Sequence, residues 1–141
     1  MIVPDVNLLV FAHHKESPYH EAASLWLEGL INGTESVGIP WSVSIAFVRL
    51  MANPRALATP ISPSAALGRV KSWFQYAHIQ PLDPGAEHLT HLQNILDAVG
   101  RSANLVPDAH IAALAIEHQA VLHSHDSDFG RIPGLQWHNP L

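Results

Sequence analysis

Ile2-Val3-Pro4-Asp5-Val6-Asn7 opens the chain, and Leu8-Leu9-Val10-Phe11-Ala12 follows at once. The first stretch reads as a short apolar strand closed by an acid. The second reads as a helix too apolar to lie half in water. Near the other end, Val121-Leu122-His123-Ser124-His125-Asp126-Ser127-Asp128 repeats the theme of an apolar strand followed by carboxylates. Between them Asp108 stands at the start of a second very apolar helix, Ile111-Ala112-Ala113-Leu114-Ala115-Ile116. Three acidic spots at the mouths of apolar elements, with no adjacent Lys or Arg, ask for a cation.

Outward from these pieces the chain alternates. Met1–Asp5 reads as a strand and Asn7–His14 as a helix. Ser17-Pro18 starts the next helix, with Ala22, Leu25, Trp26 and Leu30 at helical spacing. Ser36–Ile39 is a short strand, and Pro40-Trp41 leads into a helix that runs through Met51 to the turn pair Asn53-Pro54. Ser62-Pro63 caps a helix with the stripe Leu67, Val70, Trp73, Phe74 and Ala77. His78–Leu82 is a strand. Leu89, Leu92, Leu96 and Val99 mark a helix that stops at Gly100. Val106–His118, Ala120–Ser124 and Leu135–His138 complete the series as helix, strand and strand. Short apolar strands separated by helices predict a three-layer α/β fold: a mostly parallel sheet of about five strands, covered by helices on both faces.

The totals set limits. A chain of 141 residues reads as one domain, spanning 1–141, large enough for its own core. The absence of Cys excludes disulfides and thiolate metal sites and fits a cytoplasmic protein. No apolar run approaches the length of a membrane span, and the N-terminus has no signal-peptide pattern. The net charge of −5 is the wrong sign for coating nucleic acid by charge alone, so a phosphate substrate needs bound metal and local basic groups.

Each acid has a bland reading on its own. Asp5 is a good N-cap, Asp108 a first-turn acid beside the helix dipole, and Asp126 and Asp128 loop acids of Asx turns. Together those readings weaken, because a buried unpaired carboxylate costs several kcal/mol unless protonated, hydrogen-bonded or metal-bound. Groups just beyond the carboxyl ends of parallel strands converge at a topological switch point. Asp5 and Asp126 therefore meet if the first and fourth strands are neighbours, and Asp108 then closes the cluster. Hard oxygen donors without Cys favour Mg²⁺ or Mn²⁺.

Five fragments, in order, carry a resemblance across nearly the whole chain: Ile2-Val3-Pro4-Asp5-Val6-Asn7, Asn53-Pro54-Arg55, Asn104-Leu105-Val106-Pro107-Asp108-Ala109-His110, Asp126-Ser127-Asp128-Phe129 and Trp137-His138-Asn139-Pro140-Leu141. With these the sequence resembles the PIN-domain ribonucleases, in particular the VapC-type toxins of bacterial toxin–antitoxin pairs. The resemblance implies an Mg²⁺- or Mn²⁺-dependent endoribonuclease that hydrolyses RNA with metal-activated water, and a cognate VapB-like antitoxin; apolar surface on the first three helices would suit a homodimer or an antitoxin helix. The resemblance places the metal and catalytic acids on Asp5, Asp108 and Asp126, with Asp128 as an outer or alternate ligand and Asn7 as a polar neighbour. One departure stands out: many members carry Glu where this chain has Ala46, three residues before Arg49. Water, Ser42 or Ser44 would stand in, and a catalytically weakened module that binds antitoxin or RNA without cleavage is the alternative.

Other residues are weighed beside these. Lys15, Arg49, Arg55 and Arg131 are candidates for RNA phosphate contact, each with an ordinary reading as a solvated charge. His125, next to Asp126, is the histidine placed to touch substrate, with ordinary surface exposure as its other reading. His88 and His91 read as a solvated helix face, and zinc is disfavoured for want of three or four N/S ligands. Trp26, Trp73 and Phe74 read as core. A phosphatase or receiver domain would need a late Lys, whereas the lysines are Lys15 and Lys71. Neither a phosphate-binding glycine loop nor a nucleophile elbow is present.

Overall fold

The computed structural model describes residues 1–100 and 102–141. Five strands, β1 (Ile2–Pro4), β2 (Val37–Pro40), β3 (Ile79–Leu82), β4 (Val121–His123) and β5 (Gln136–His138), form one sheet in the order β3-β2-β1-β4-β5. Every neighbouring pair is parallel. The helices are α1 (Val6–His13), α2 (His20–Asn32), α3 (Trp41–Met51), α4 (Pro63–Trp73), α5 (His88–Val99) and α6 (Val106–Glu117). They make the sheet the middle of a three-layer α/β fold. β1 and β2 are buried along their whole length, as strands covered on both faces must be.

The topology places the switch point. From β1 the chain steps outward to β2 and β3, then crosses back to put β4 on the other side of β1. Pro4 pairs with His123, so Asp5 and Ser124 leave the sheet side by side. This is the crevice where open parallel sheets assemble sites. Beneath it, Val3, Leu8, Leu9, Leu114 and Leu122 are almost fully buried, each side chain contributing about 1.5–3 kcal/mol relative to exposure. In α6 the small residues Ala109, Ala112, Ala113 and Ala115 are all buried, so this helix packs close on every side.

Helix faces differ from the expectation in detail. α2 begins at His20 rather than Ser17, whose hydroxyl instead accepts from the Tyr19 N–H at 3.1 Å in a preceding turn. Its inward residues are Ala23, Trp26, Leu27, Leu30 and Ile31, while Ala22 is exposed and Leu25 is 64% exposed. α4 ends at Trp73 and buries Ala66, Val70 and Trp73, with Leu67 turned out. In α5 Ile95 is buried and Leu89 is 75% exposed. Which apolar residue faces in depends on helix phase against the neighbours, and more apolar positions exist than the contact surfaces use. Gly100 ends α5 at φ 122°, a conformation that costs a side-chain-bearing residue dearly. No helix among the described residues is long and apolar enough to cross a membrane.

Candidate metal centre

Asp5 caps α1 and is 6% exposed. Its Oδ1 accepts from the Val6 N–H at 2.7 Å, and its Oδ2 accepts from the Ser124 hydroxyl at 2.7 Å. Burial pushes this carboxyl above the ordinary range, the two hydrogen bonds pull it back, and the charge of Asp126 raises it further. The capping role and a site role are therefore compatible: one oxygen serves the helix and the group stays at the crevice.

Ser124 is the hub that the sequence reading missed. It is fully buried. Its Oγ donates to Asp5 and accepts from Asn7 Nδ2 at 3.2 Å and from the Asp126 N–H at 3.0 Å. Asn7 Oδ1 in turn accepts from the His125 N–H at 3.5 Å. A small hydroxyl directly after an apolar strand was the available signal, since only a small polar residue fits where two strand ends meet. Asp126 uses its own Oδ1 to accept from the Asp128 N–H at 2.9 Å and starts the 3₁₀ turn Ser127–Arg131.

Asp108 lies in the first turn of α6 and is half-buried. Its pKa is pushed up to about 6, first by burial and then by repulsion from Asp5, Asp126 and Asp128. The three sequence-predicted acids and Asp128 thus share one field, although 103 residues of chain separate Asp5 from Asp108. A cleft of about 180 Å³ is lined by Asp5, Ser42, Ala46, Arg49, Asp108 and His110, among others. On its other side Asp108 borders a crevice of about 20 Å³ with Asp128, Phe129 and Arg131, room for about one water. Asp108 is the wall between the two spaces.

The remaining candidates sort by position. Ser42 and Arg49 line the cleft beside Ala46, one face of α3. Ser44 does not: it is buried, its Oγ has no partner, and it cannot replace a cleft carboxylate. Asp128 is exposed and lies 3.9 Å from Arg131, a weakly coupled surface pair. Lys15 and Arg55 are exposed, with the Arg55 N–H bonded to Asn53 Oδ1 in a turn. His125 is half-buried rather than free, its ring 4.3 Å from Tyr19 and 5.9 Å from Phe11 by centroids. His88 overturns the expectation of a solvated face. It is buried, with Nε2 2.8 Å from His110 Nδ1, because α5 turns its first residue toward α6. Trp73 is core as expected, and half-buried Trp26 donates from Nε1 to His123 Nδ1 at 3.0 Å. Burial and His138 hold His123 down to about 4, so it is a neutral acceptor.

The donor chemistry fits a hard divalent cation: the acids offer carboxylate oxygens, and burial together with neighbouring carboxylates raises the pKa of Asp5 and Asp108. The spacing is looser than a cage. Among the described residues no three Asp, Glu or His side chains draw close enough together to enclose an ion. A cation that keeps several waters matches such an open set better than one that needs a complete protein shell.

Comparison with known proteins agrees with this architecture. The PIN domain family model matches residues 2–135. Ribonuclease VapC37 of Mycobacterium tuberculosis is 39% identical over 99% of this chain and 97% of its own length. Ribonuclease VapC33 of the same species is 34% identical over 100% of this chain and 99% of its own. Among solved structures, VapBC2 from Rickettsia felis bound to a DNA fragment from its promoter superposes with a TM-score of 0.72. That match covers 99% of this chain and 98% of the other at 19% identity, a likeness of fold. On the strength of the matched residues, this chain belongs to the PIN-domain family.

Proposed function

We propose that this chain is an endoribonuclease, the toxin of a toxin–antitoxin pair, and that Asp5, Asp108 and Asp126 hold a Mg²⁺ or Mn²⁺ ion with Asp128 as an outer ligand. The observation that carries the reading is the shared cleft of Asp5 and Asp108, with both carboxyls raised in pKa first by burial and then by neighbouring carboxylates, Asp126 at Asp5 and Asp5, Asp126 and Asp128 at Asp108. Such electrostatic strain is what a bound cation relieves. The relatives named as VapC ribonucleases support RNA as the substrate, and the VapBC complex of like fold supports a VapB-like partner.

When bound, the ion supplies Lewis-acid chemistry: it polarises the phosphodiester and makes water a better nucleophile. The residues do the rest. Ser124 and the Val6 N–H hold Asp5 in a fixed orientation. Asp108, lacking such donors among the causes of its shift, is the carboxylate free to turn toward a ligand. Arg49 stands at the cleft to meet a phosphate oxygen. Asn7 ties the His125 loop to the hub, setting the height of Asp126.

The full stretch 1–141 acts as one domain, and the protein works in the cytoplasm. A second copy or the antitoxin covers the outward apolar residues, among them Trp41 at 51% and Ile45 at 64% exposure on α3. Purified protein incubated with RNA in Mg²⁺ or Mn²⁺ should cleave internally, and chelator or Asp5→Ala should stop it. Wild-type protein that binds RNA or antitoxin but never cuts would replace this reading by the weakened module, with Ala46 as its cause.

A further inference from the structure

A polar chain between α5 and α6 leads from the Gly85 loop through buried His88 to the acidic cleft. It starts at Glu117, whose Oε1 accepts from the Gly85 N–H at 2.7 Å. A Cβ on residue 85 would stand 2.7 Å from Glu117 Oε2, so a larger residue there would push the Glu117 carboxylate aside. His88 Nδ1 lies 3.8 Å from Glu117 Oε1, with the two side chains 9% and 12% exposed, and has no hydrogen-bond partner. His88 Nε2 is 2.8 Å from His110 Nδ1, and His110 lines the cleft with Asp5 and Asp108. Apolar side chains would fill this space at lower cost than three polar ones.

The chain favours one tautomer of a neutral His88. A lone pair on His88 Nδ1 would face a carboxylate at short range, so that nitrogen carries the proton. A neutral imidazole has one N–H, which makes His88 Nε2 an acceptor and His110 Nδ1 its donor. The lone pair of His110 is therefore on Nε2. That atom has no partner among the described residues and is not one of the buried orphaned atoms, so it stays open for a ligand. An acceptor has no use for a phosphate oxygen, which is itself an acceptor. The sugar–phosphate backbone of RNA carries one hydrogen-bond donor, the ribose 2′-hydroxyl, and DNA lacks it.

We propose that His110 accepts a hydrogen bond from the 2′-hydroxyl of a nucleotide held in the acidic cleft, and so selects ribose over deoxyribose. His88 and Glu117 are positioning residues that keep the acceptor edge of His110 toward the sugar. This rests on the ribonuclease reading above and deepens it.

The test is cleavage of a short oligoribonucleotide in Mg²⁺ or Mn²⁺, beside versions carrying one 2′-deoxy or one 2′-fluoro nucleotide at each position around the cut. Wild-type protein should slow about tenfold at one position, the worth of one hydrogen bond. The 2′-fluoro version should be as slow as 2′-deoxy there, since fluorine cannot donate. His110→Ala should cut the all-ribose and singly deoxy substrates at the same reduced rate, and His88→Phe should narrow the ratio. Cleavage by wild type that is indifferent to every single substitution overturns the proposal while the ribonuclease reading stands, and needs no variant to fold. So does a His110→Ala protein that keeps the full ribose preference, or one slowed equally on both substrates with the ratio unchanged. A wild type that leaves the all-ribose strand uncut overturns the ribonuclease reading and this proposal together.

Discussion

Two corners of the molecule hold an aspartate at the start of an apolar helix, and they treat it differently. At the β1–α1 corner, Asp5 is almost fully buried but accepts from Val6 and Ser124. At the start of α6, Asp108 is only half-buried, yet its carboxyl is pushed up to about 6 by burial and three like charges. Burial alone does not rank their strain. What separates them is the supply of donors: hydrogen bonds offset desolvation at Asp5, and nothing comparable among the described residues offsets repulsion at Asp108. The first is a fixed post; the second is a charge held at a cost that a ligand can recover.

The largest expected effect is on cleavage. Asp5→Asn and Asp108→Asn should each reduce kcat by more than about a hundredfold, beyond the loss seen when only an outer partner of a metal ligand is removed. Cleavage kinetics of folded variants check this, and full activity in either would break the pairing of the two corners at one site.

Stability should move in opposite directions. Between about pH 3.8 and 6 the folded protein binds more protons at Asp108 than the unfolded chain does. The penalty of ionised Asp108 is therefore complete above pH 6 and gone below the unfolded value. Asp108→Asn should stabilise the metal-free protein at pH 7.5 by about 1–2 kcal/mol, after discounting the shift for partial exposure. The gain should vanish as pH falls through that window. Ser124→Ala, at the other corner, should destabilise by about 1–3 kcal/mol, because it strips Asp5 of a donor and strands Asn7 Nδ2 and the Asp126 N–H. Denaturant unfolding at several pH values measures both.

His123 supplies a counterweight. Its folded pKa, about 4, is below the ordinary imidazole value of 6.5, so the unfolded chain takes up the extra proton and stability falls as pH drops through that interval. In wild type this loss opposes the Asp108 gain. In Asp108→Asn that gain is removed, giving a steeper acid decline of Tm. The smallest effect is expected from Ala46→Glu, which returns a carboxylate to the cleft wall. Calorimetric titration with Mn²⁺ should show affinity raised by up to about tenfold, since ligand charge tunes such sites. Unchanged affinity would mean that position 46 does not reach the ion.

Much of this was legible in the chain. Ile2–Pro4 and Val121–His123 read as buried parallel strands because they are short, apolar and followed by polar turns. Asp5, Asp108 and Asp126 stood out because acids at the mouths of apolar elements conflict with their surroundings. Helix phase was less legible: Leu25 and Leu89 look like core and face out, while His88 looks like surface and faces in. Hydropathy gives the period of a helix but not which neighbour it will meet.

By itself the sequence determined the alternation of strands and helices and the identity of the acids, since both follow from local period and residue chemistry. Only the tertiary structure decided that Ser124 joins Asp5, Asn7 and Asp126, that Asp108 divides two spaces, and that His88 stands between Glu117 and His110. The physical reason is distance along the chain. The bond between Ser124 and Asp5 spans 119 residues, and a hydrogen bond acts over about 3 Å of space, so no local pattern encodes its partner.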